Sequence, residues 1–201
     1  MTTLTLVRHG ETDWNLNRRI QGSTDIPLNA TGRAQARAVG LELAETMNPD
    51  VPIVLASSDL ARARETGEII ADALGVPAPQ TYRALRERSY GDAEGVTDTE
   101  FVERWGEWHT AVVPNAEPWD AVTRRAVAGI QQVVRDARRA TAPRAPEIIV
   151  VAHGALIRAV IGHATGGVHP VAGVKLANGS RHTFLVERER LRLLASPGVP
   201  A

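Results

Sequence analysis

The run Glu147 to Gly154, EIIVVAHG, constrains this chain most. Four consecutive β-branched residues leave no polar face, so a strand made of them is stable only where both of its faces are covered. The run ends in His-Gly, and a helix-prone stretch, ALIRAVIGHATG, follows at once. A second β-prone run, TLTLV at 3 to 7, ends the same way, in Arg8-His9-Gly10. If the two strands are neighbours in one sheet, His9 and His153 meet at its C-terminal edge, 144 positions apart in sequence. Chemistry is expected at that edge in α/β folds.

Between these runs strands and helices alternate. A turn-rich stretch, STDIPLNATG, leads into a first helix from Gly32 to about Met47, with Thr31 as a plausible N-cap. PIVLAS at 52 to 57 reads as a strand, and a helix from about Leu60 to Leu74 follows, closed by Gly75 and Pro77. The segment TYRALRERSYGDAEG predicts a short strand and loop, and Thr99 to Thr110 a short helix carrying Phe101, Trp105 and Trp108. Residues 119 to 140 predict a long amphipathic helix whose apolar face comprises Trp119, Val122, Ala126, Ile130, Val133, Val134 and Ala137. The tail SRHTFLVERERLRLLA reads as two short strands around a turn. The alternation predicts an α/β fold: a three-layer α/β/α sandwich with a mainly parallel central sheet and an antiparallel edge. The expected organisation is one domain over 1–201, with a small helical cap inserted at about 88–118. Exposed apolar residues on the edge strand would suit a homodimer.

Composition removes several function classes. Positive and negative side chains number 23 each, so no global field draws the chain to nucleic acid or an anionic membrane. Any anion selectivity has to come from a local cluster, and all positive side chains but Lys175 are arginine, the better bidentate partner for phosphate. With no cysteine there is no disulfide frame, thiolate nucleophile or Cys-ligated metal. The N-terminus enters a strand within a few residues, and no stretch has the roughly 18 apolar residues of a membrane span. A cytoplasmic protein is the expectation. His109, His163, His169 and His182 show no metal-ligand spacing and read as structural or surface residues.

RHG alone is a weak signal. Extended to LVRHGETDWN, and followed in order by IQGSTDIPLNATGRAQA, SSDLARARET, LRERSYGDAEG, IIVVAHGALIRAV and NGSRHTFL, it resembles the histidine phosphatase superfamily over most of the chain. That superfamily includes the cofactor-dependent phosphoglycerate mutases and many small phosphatases. The resemblance implies a phosphoglycerate mutase-like fold, with His9 as the nucleophile that becomes phosphorylated. Arg8, Arg62 and His153 would form the cationic pocket for the phosphoryl group, and Glu87 would be the acid/base, chosen over Glu94. Asn15, Gln21, Gly22 and the Gly154 backbone N–H would add phosphate-binding contacts. Arg88 and Tyr90 match residues that hold a carboxylate in the mutases.

These roles suit the chemistry. An attacking imidazole needs one neutral nitrogen oriented by a bond at the other, and a transferring phosphoryl group needs positioned cations more than covalent assistance. No metal or other cofactor is then required. Glu87 would have to hold a proton for the leaving oxygen and later take one from water. The roles imply a pH profile that falls in acid as His9 is protonated and in alkali as Glu87 and a cationic His153 lose protons.

Departures from the mutases decide the acceptor. Asp98 stands where the mutases carry a lysine, and no arginine pair follows Trp105. Many phosphatases of the superfamily have Gly-Glu-Ser before the long helix, where this chain has Ala-Glu-Pro at 116 to 118, so no role is assigned to Glu117. The expectation is a metal-independent phosphatase acting on a small phosphorylated metabolite. A phosphoglycerate mutase is the alternative, and a non-catalytic phospho-ligand-binding module a second.

Overall fold

A computed structural model describes residues 2–108, 110–171, 173–188 and 190–197. Both His-Gly runs are strands, β1 (Thr2–Arg8) and β4 (Glu147–Ala152), and they lie side by side in parallel with Arg8 opposite Ala152. Their side chains alternate between two cores. Leu4, Leu6, Ile148 and Val150 enter one; Val7, Ile149 and Val151 enter the other. Each such side chain, fully buried, contributes about 1.5–3 kcal/mol, which explains why β4 is apolar from Ile148 to Ala152 on both faces.

The first core packs against α5 (Trp119–Thr141) and α6 (Gly154–Ala164). The second packs against α2 (Ala30–Thr46) and α3 (Ala61–Leu74), the elements that flank β2 (Ile53–Ser57). With the two-residue β3 (Gln80–Thr81) and the hairpin of β5 (Arg181–Glu187) and β6 (Arg190–Ala195), the sheet runs β3-β2-β4-β1-β5-β6. Strands β1 to β4 pair in parallel, and β5 and β6 are antiparallel. The α/β/α sandwich with a mainly parallel sheet is therefore as expected.

Several local expectations are corrected. Asn29, not Thr31, caps α2: its side chain accepts from the Gly32 N–H at 2.8 Å, and the helix begins two residues earlier. A four-residue helix, α1 (Asp13–Leu16), follows His9 and is closed by a capping box between Thr12 and Asn15. The short strand expected in TYRALRERSYGDAEG is only the end of β3 at Thr81, and the stretch after it is two 3₁₀ turns, Arg83–Leu85 and Gly91–Ala93. The carbonyls of Ala84, Arg86 and Glu87 find their partner in a side chain, Arg125, so no ladder is needed. The helix expected at 99 to 110, α4, spans Asp98–Trp105, started by Thr97 with Glu100 in a capping box and stopped by Gly106 at φ +79°, which leaves Trp108 beyond it. Trp119 stands 43 % exposed at the start of α5, outside the apolar face. Ile20, Ala93, Val96 and Phe101 form a small third core beside α4.

Candidate active site

The pairing of β1 with β4 delivers Arg8, His9 and His153 to one edge, the two imidazole centroids 5.2 Å apart. His9 is almost wholly buried. Its Nδ1 lies 2.7 Å from the Gly10 carbonyl oxygen. A carbonyl can only accept, so Nδ1 carries the hydrogen and Nε2 is left with the lone pair. The backbone around it is fixed by the His9 N–H donating to Ala152, the Gly10 N–H to Thr66 Oγ1, and Asn178 Nδ2 to the His9 carbonyl. Burial, then the Arg62 and Arg8 charges, hold the His9 pKa well below its usual range. The ring is neutral at neutral pH.

Arg62, near the start of α3, is buried, and two of its nitrogens donate to the carbonyls of Thr24 and Gly22, both at 2.8 Å. Carbonyls orient the guanidinium without neutralising it. Burial lowers its pKa to about 10, so it stays a cation. Arg8 is held by one nitrogen on the Leu176 carbonyl, and its pKa too is lowered by burial, against the pull of Glu87. His153 is wholly enclosed; burial and then Arg62 hold its pKa well below the usual range. The cationic His153 expected from sequence is therefore disfavoured, first by its enclosure and then by the positive charge of the arginines beside it.

Four nitrogens here are buried without a partner: Nε of Arg8, Nε of Arg62, and both ring nitrogens of His153. Leaving a buried polar group unpaired costs about 1–3 kcal/mol each. The guanidinium Nε–H groups and the single N–H of a neutral His153, beside the lone-pair nitrogen of His9, are donors suited to an anion.

Glu87 faces them from the loop after the first 3₁₀ turn. Its Oε1 accepts from the N–H groups of Arg88 (2.9 Å) and Leu156 (3.1 Å), and Oε2 from that of Ala155 (3.1 Å), so the carboxylate lies on the N-terminus of α6. Gly154 opens that helix; a Cβ there would sit 3.5 Å from Arg8 Nε. Asn15 and Gln21 are turned by their neighbours. Asn15 Oδ1 accepts from Thr12 N–H and Asn178 Nδ2, and Gln21 Oε1 from Thr12 Oγ1, which leaves both NH₂ groups to donate elsewhere.

A cavity of about 150 Å³ is lined by Arg8, His9, Asn15, Gln21, Gly22, Arg62, Glu87 and Tyr90 together with Arg19, Ile20 and Trp108, with His153 and Gly154 behind its wall. A larger groove, about 530 Å³, runs between α2 and the β5–β6 hairpin but holds none of the chemical set. Arg88 is placed outside the cavity: its Nε donates to the Glu117 carbonyl at 2.8 Å and its guanidinium lies over the Tyr90 and Trp119 rings. Asp98 pairs with Lys175 at 3.5 Å on the surface.

Sequence reasoning assigned no role to Arg19, Trp108, Thr66, Asn178, Arg125 or Glu117. Thr66 was legible as the residue one helical turn after Arg62, on the same face. Arg19, Trp108, Asn178 and Glu117 are brought in by loops, whose paths no periodicity encodes, and Arg125 by the packing of α5. His182 is buried between the hydroxyls of Ser180 and Ser196, and burial takes its pKa to about 4. His109 lies outside the described residues. Among the described residues no group of three or more His, Asp or Glu side chains is placed to hold a metal ion.

Known proteins match this arrangement along its length. Residues 4–196 fit the family described as the histidine phosphatase superfamily, branch 1. The chain is 37 % identical over 193 residues to a Bacillus subtilis protein named as an uncharacterized phosphatase, PhoE, covering 96 % of this chain and 93 % of that one. It is 31 % identical over 169 residues to a metal-independent phosphoserine phosphatase of Arabidopsis thaliana, covering 80 % and 67 %. The solved structure of a mycobacterial glucosyl-3-phosphoglycerate phosphatase with VO₃ superposes at a TM-score of 0.78, with 26 % identity and 96 % of both chains covered. Relatives named as 2,3-bisphosphoglycerate-dependent phosphoglycerate mutases match as well. With its two strand-end histidines, its buried arginines and this likeness over nearly the whole length, the chain belongs to the histidine phosphatase superfamily, among phosphoric monoester hydrolases.

Proposed function

We propose that this protein hydrolyses a small phosphate monoester without a metal, through a phosphohistidine on His9. The observation that carries the reading is the set of four unpartnered buried nitrogens around the neutral His9 Nε2, beside the un-neutralised Arg62. His9 Nε2 attacks phosphorus; the ester P–O bond breaks, and the leaving oxygen takes a proton from Glu87. Water then attacks the phosphohistidine, gives its proton to Glu87, and the P–N bond breaks to free phosphate and the neutral ring. Arg8 and Arg62 carry the charge on the equatorial oxygens, with His153, the Asn15 and Gln21 amides and backbone around Gly22 and Gly154 as further donors.

Beyond the phosphate, the cavity offers Arg19, Ile20, Tyr90 and Trp108. A small leaving group with one apolar face and one anionic or hydroxylated end fits that wall, and the segment at about 88–118 serves as its cap. Water rather than a second hydroxyl is the acceptor, because Asp98, already paired with the exposed Lys175, offers no cation for a second phosphate. A cytoplasmic location and dimerisation through the β6 edge complete the proposal.

His9→Ala should abolish phosphate release from p-nitrophenyl phosphate and the acid-labile ³²P label on the protein, while EDTA leaves the wild type unchanged. Persisting turnover in His9→Ala would end this reading. Interconversion of 3- and 2-phosphoglycerate faster than their hydrolysis would establish the mutase alternative.

A further inference from the structure

We propose that Arg125 and Glu117 are a positioning pair that fixes Glu87 over the phosphoryl site; the idea rests on Glu87 being the acid/base. Helix α5 docks on the first 3₁₀ turn through Gly129, where a Cβ would come 2.9 Å from that of Ala84. One turn earlier on α5, Arg125 reaches across the loop. Its Nη1 donates to the carbonyls of Ala84 (2.9 Å) and Arg86 (2.8 Å), and its Nη2 to that of Glu87 itself (3.3 Å). Its charge is met by Glu117 in a two-point fork, Nε to Oε1 at 2.9 Å and Nη2 to Oε2 at 2.7 Å. Glu117 in turn holds the far side of the loop: its N–H donates to the Ser89 carbonyl at 2.8 Å, and its own carbonyl accepts from Arg88.

Three carbonyls of the acid loop thus converge on one guanidinium, borne by the longest helix of the fold. The carboxylate end of Glu87 is held from the other side by α6. The side chain is stretched between two helices of one layer, and its distance to the reacting oxygen is set by how they pack. Arg125 and Glu117 do not line the catalytic cavity. They wall a neighbouring one of about 310 Å³, which Glu87 also borders. Glu117 therefore has a use here although the Gly-Glu-Ser pattern around it is missing.

The test compares kcat/KM for two aryl phosphates, p-nitrophenyl phosphate, whose leaving group needs no proton, and phenyl phosphate, whose leaving group does, each variant being read against the wild type on the same probe. General acid catalysis is worth roughly 10²–10⁴-fold. Arg125→Ala should lower kcat/KM for phenyl phosphate about 100-fold and for p-nitrophenyl phosphate less than about 10-fold, and Glu117→Gln should show the same pattern more weakly. Guanidinium chloride at low concentration, entering through the adjoining cavity, should restore phenyl phosphate turnover to Arg125→Ala. An equal loss on both probes would mean a merely structural pair and overturn the proposal, as would a wild-type ratio in Glu117→Gln where the alanine variant does not fold. Glu87→Gln separates the two readings. If it discriminates between the probes and Arg125→Ala does not, only this proposal fails; if it does not discriminate, the acid role fails with it.

Discussion

Gly10 and Gly154 follow the two active-site histidines in identical dipeptides, yet the structure gives them different reasons to be glycine. A Cβ on Gly10 would lie 2.3 Å from the Gly32 carbonyl oxygen, so the loop after His9 can rest on the first turn of α2 only without one. Around Gly154 the nearest atom would be 3.5 Å away, ordinary contact, and the residue is helical. Gly10→Ala should cost about 1–3 kcal/mol through forced backbone movement. Gly154→Ala should be neutral or stabilising by up to about 1 kcal/mol, the helix-propensity gain. Urea unfolding of the two variants checks this, and equal losses would contradict it. The same scale sets the tautomer of His9, since one carbonyl of its own loop decides which nitrogen keeps the lone pair.

Among the elements, α4 shows how a short helix serves a site it does not enter. Thr97 and Glu100 start it, Gly106 stops it, and the chain turns back so that Trp108 lies flat on Phe101, 3.9 Å between centroids and 8° from parallel. Phe101 is buried, so the stack carries the firmness of the small core to a residue on the cavity wall. Trp108 is 43 % exposed and makes the outer side of the cavity, where a leaving group rather than the phosphate would lie. Trp108→Ala should raise KM several-fold with a smaller change in kcat, the pattern of lost ground-state binding. Steady-state kinetics on p-nitrophenyl phosphate measure it; an unchanged KM with a large fall in kcat would place Trp108 in the chemistry instead.

For the whole molecule, the consequence of this architecture is sensitivity to mild acid. His9, His153 and His182 are all buried with pKa values held below the ordinary one, the last at about 4. In the unfolded chain each titrates near 6.5. Below that pH the unfolded state binds protons that the native state refuses, so this part of the stability is complete above about pH 6.5 and is lost as pH falls through the folded values. The urea midpoint should hold between pH 8 and 7 and decline from about pH 6.5 downward, before the carboxylates begin to titrate. A midpoint that stays flat from pH 7 to 5 would show the histidines to be less enclosed than the fold makes them. Neutral His9 also moves the acid limb of the rate below the range a free imidazole would give.

The amino-acid sequence alone determined the α/β class, because EIIVVA can be a strand only between two covered faces, and local capping and breaking residues bounded most helices to within two positions. It also picked out His9, His153, Arg62 and Glu87 as candidates, each from a short contiguous motif. Tertiary structure decided the rest. The pairing of β1 with β4 joins histidines 144 positions apart, and burial among arginines, a property of no single residue, leaves His153 neutral where sequence suggested a cation. Arg88 was read as a carboxylate contact from its match to the mutases, but loop geometry turns it onto Trp119 and the Glu117 carbonyl. Arg125 shows the limit most plainly: on the helix it is one arginine among five, and only the packing of α5 against the acid loop sets it apart.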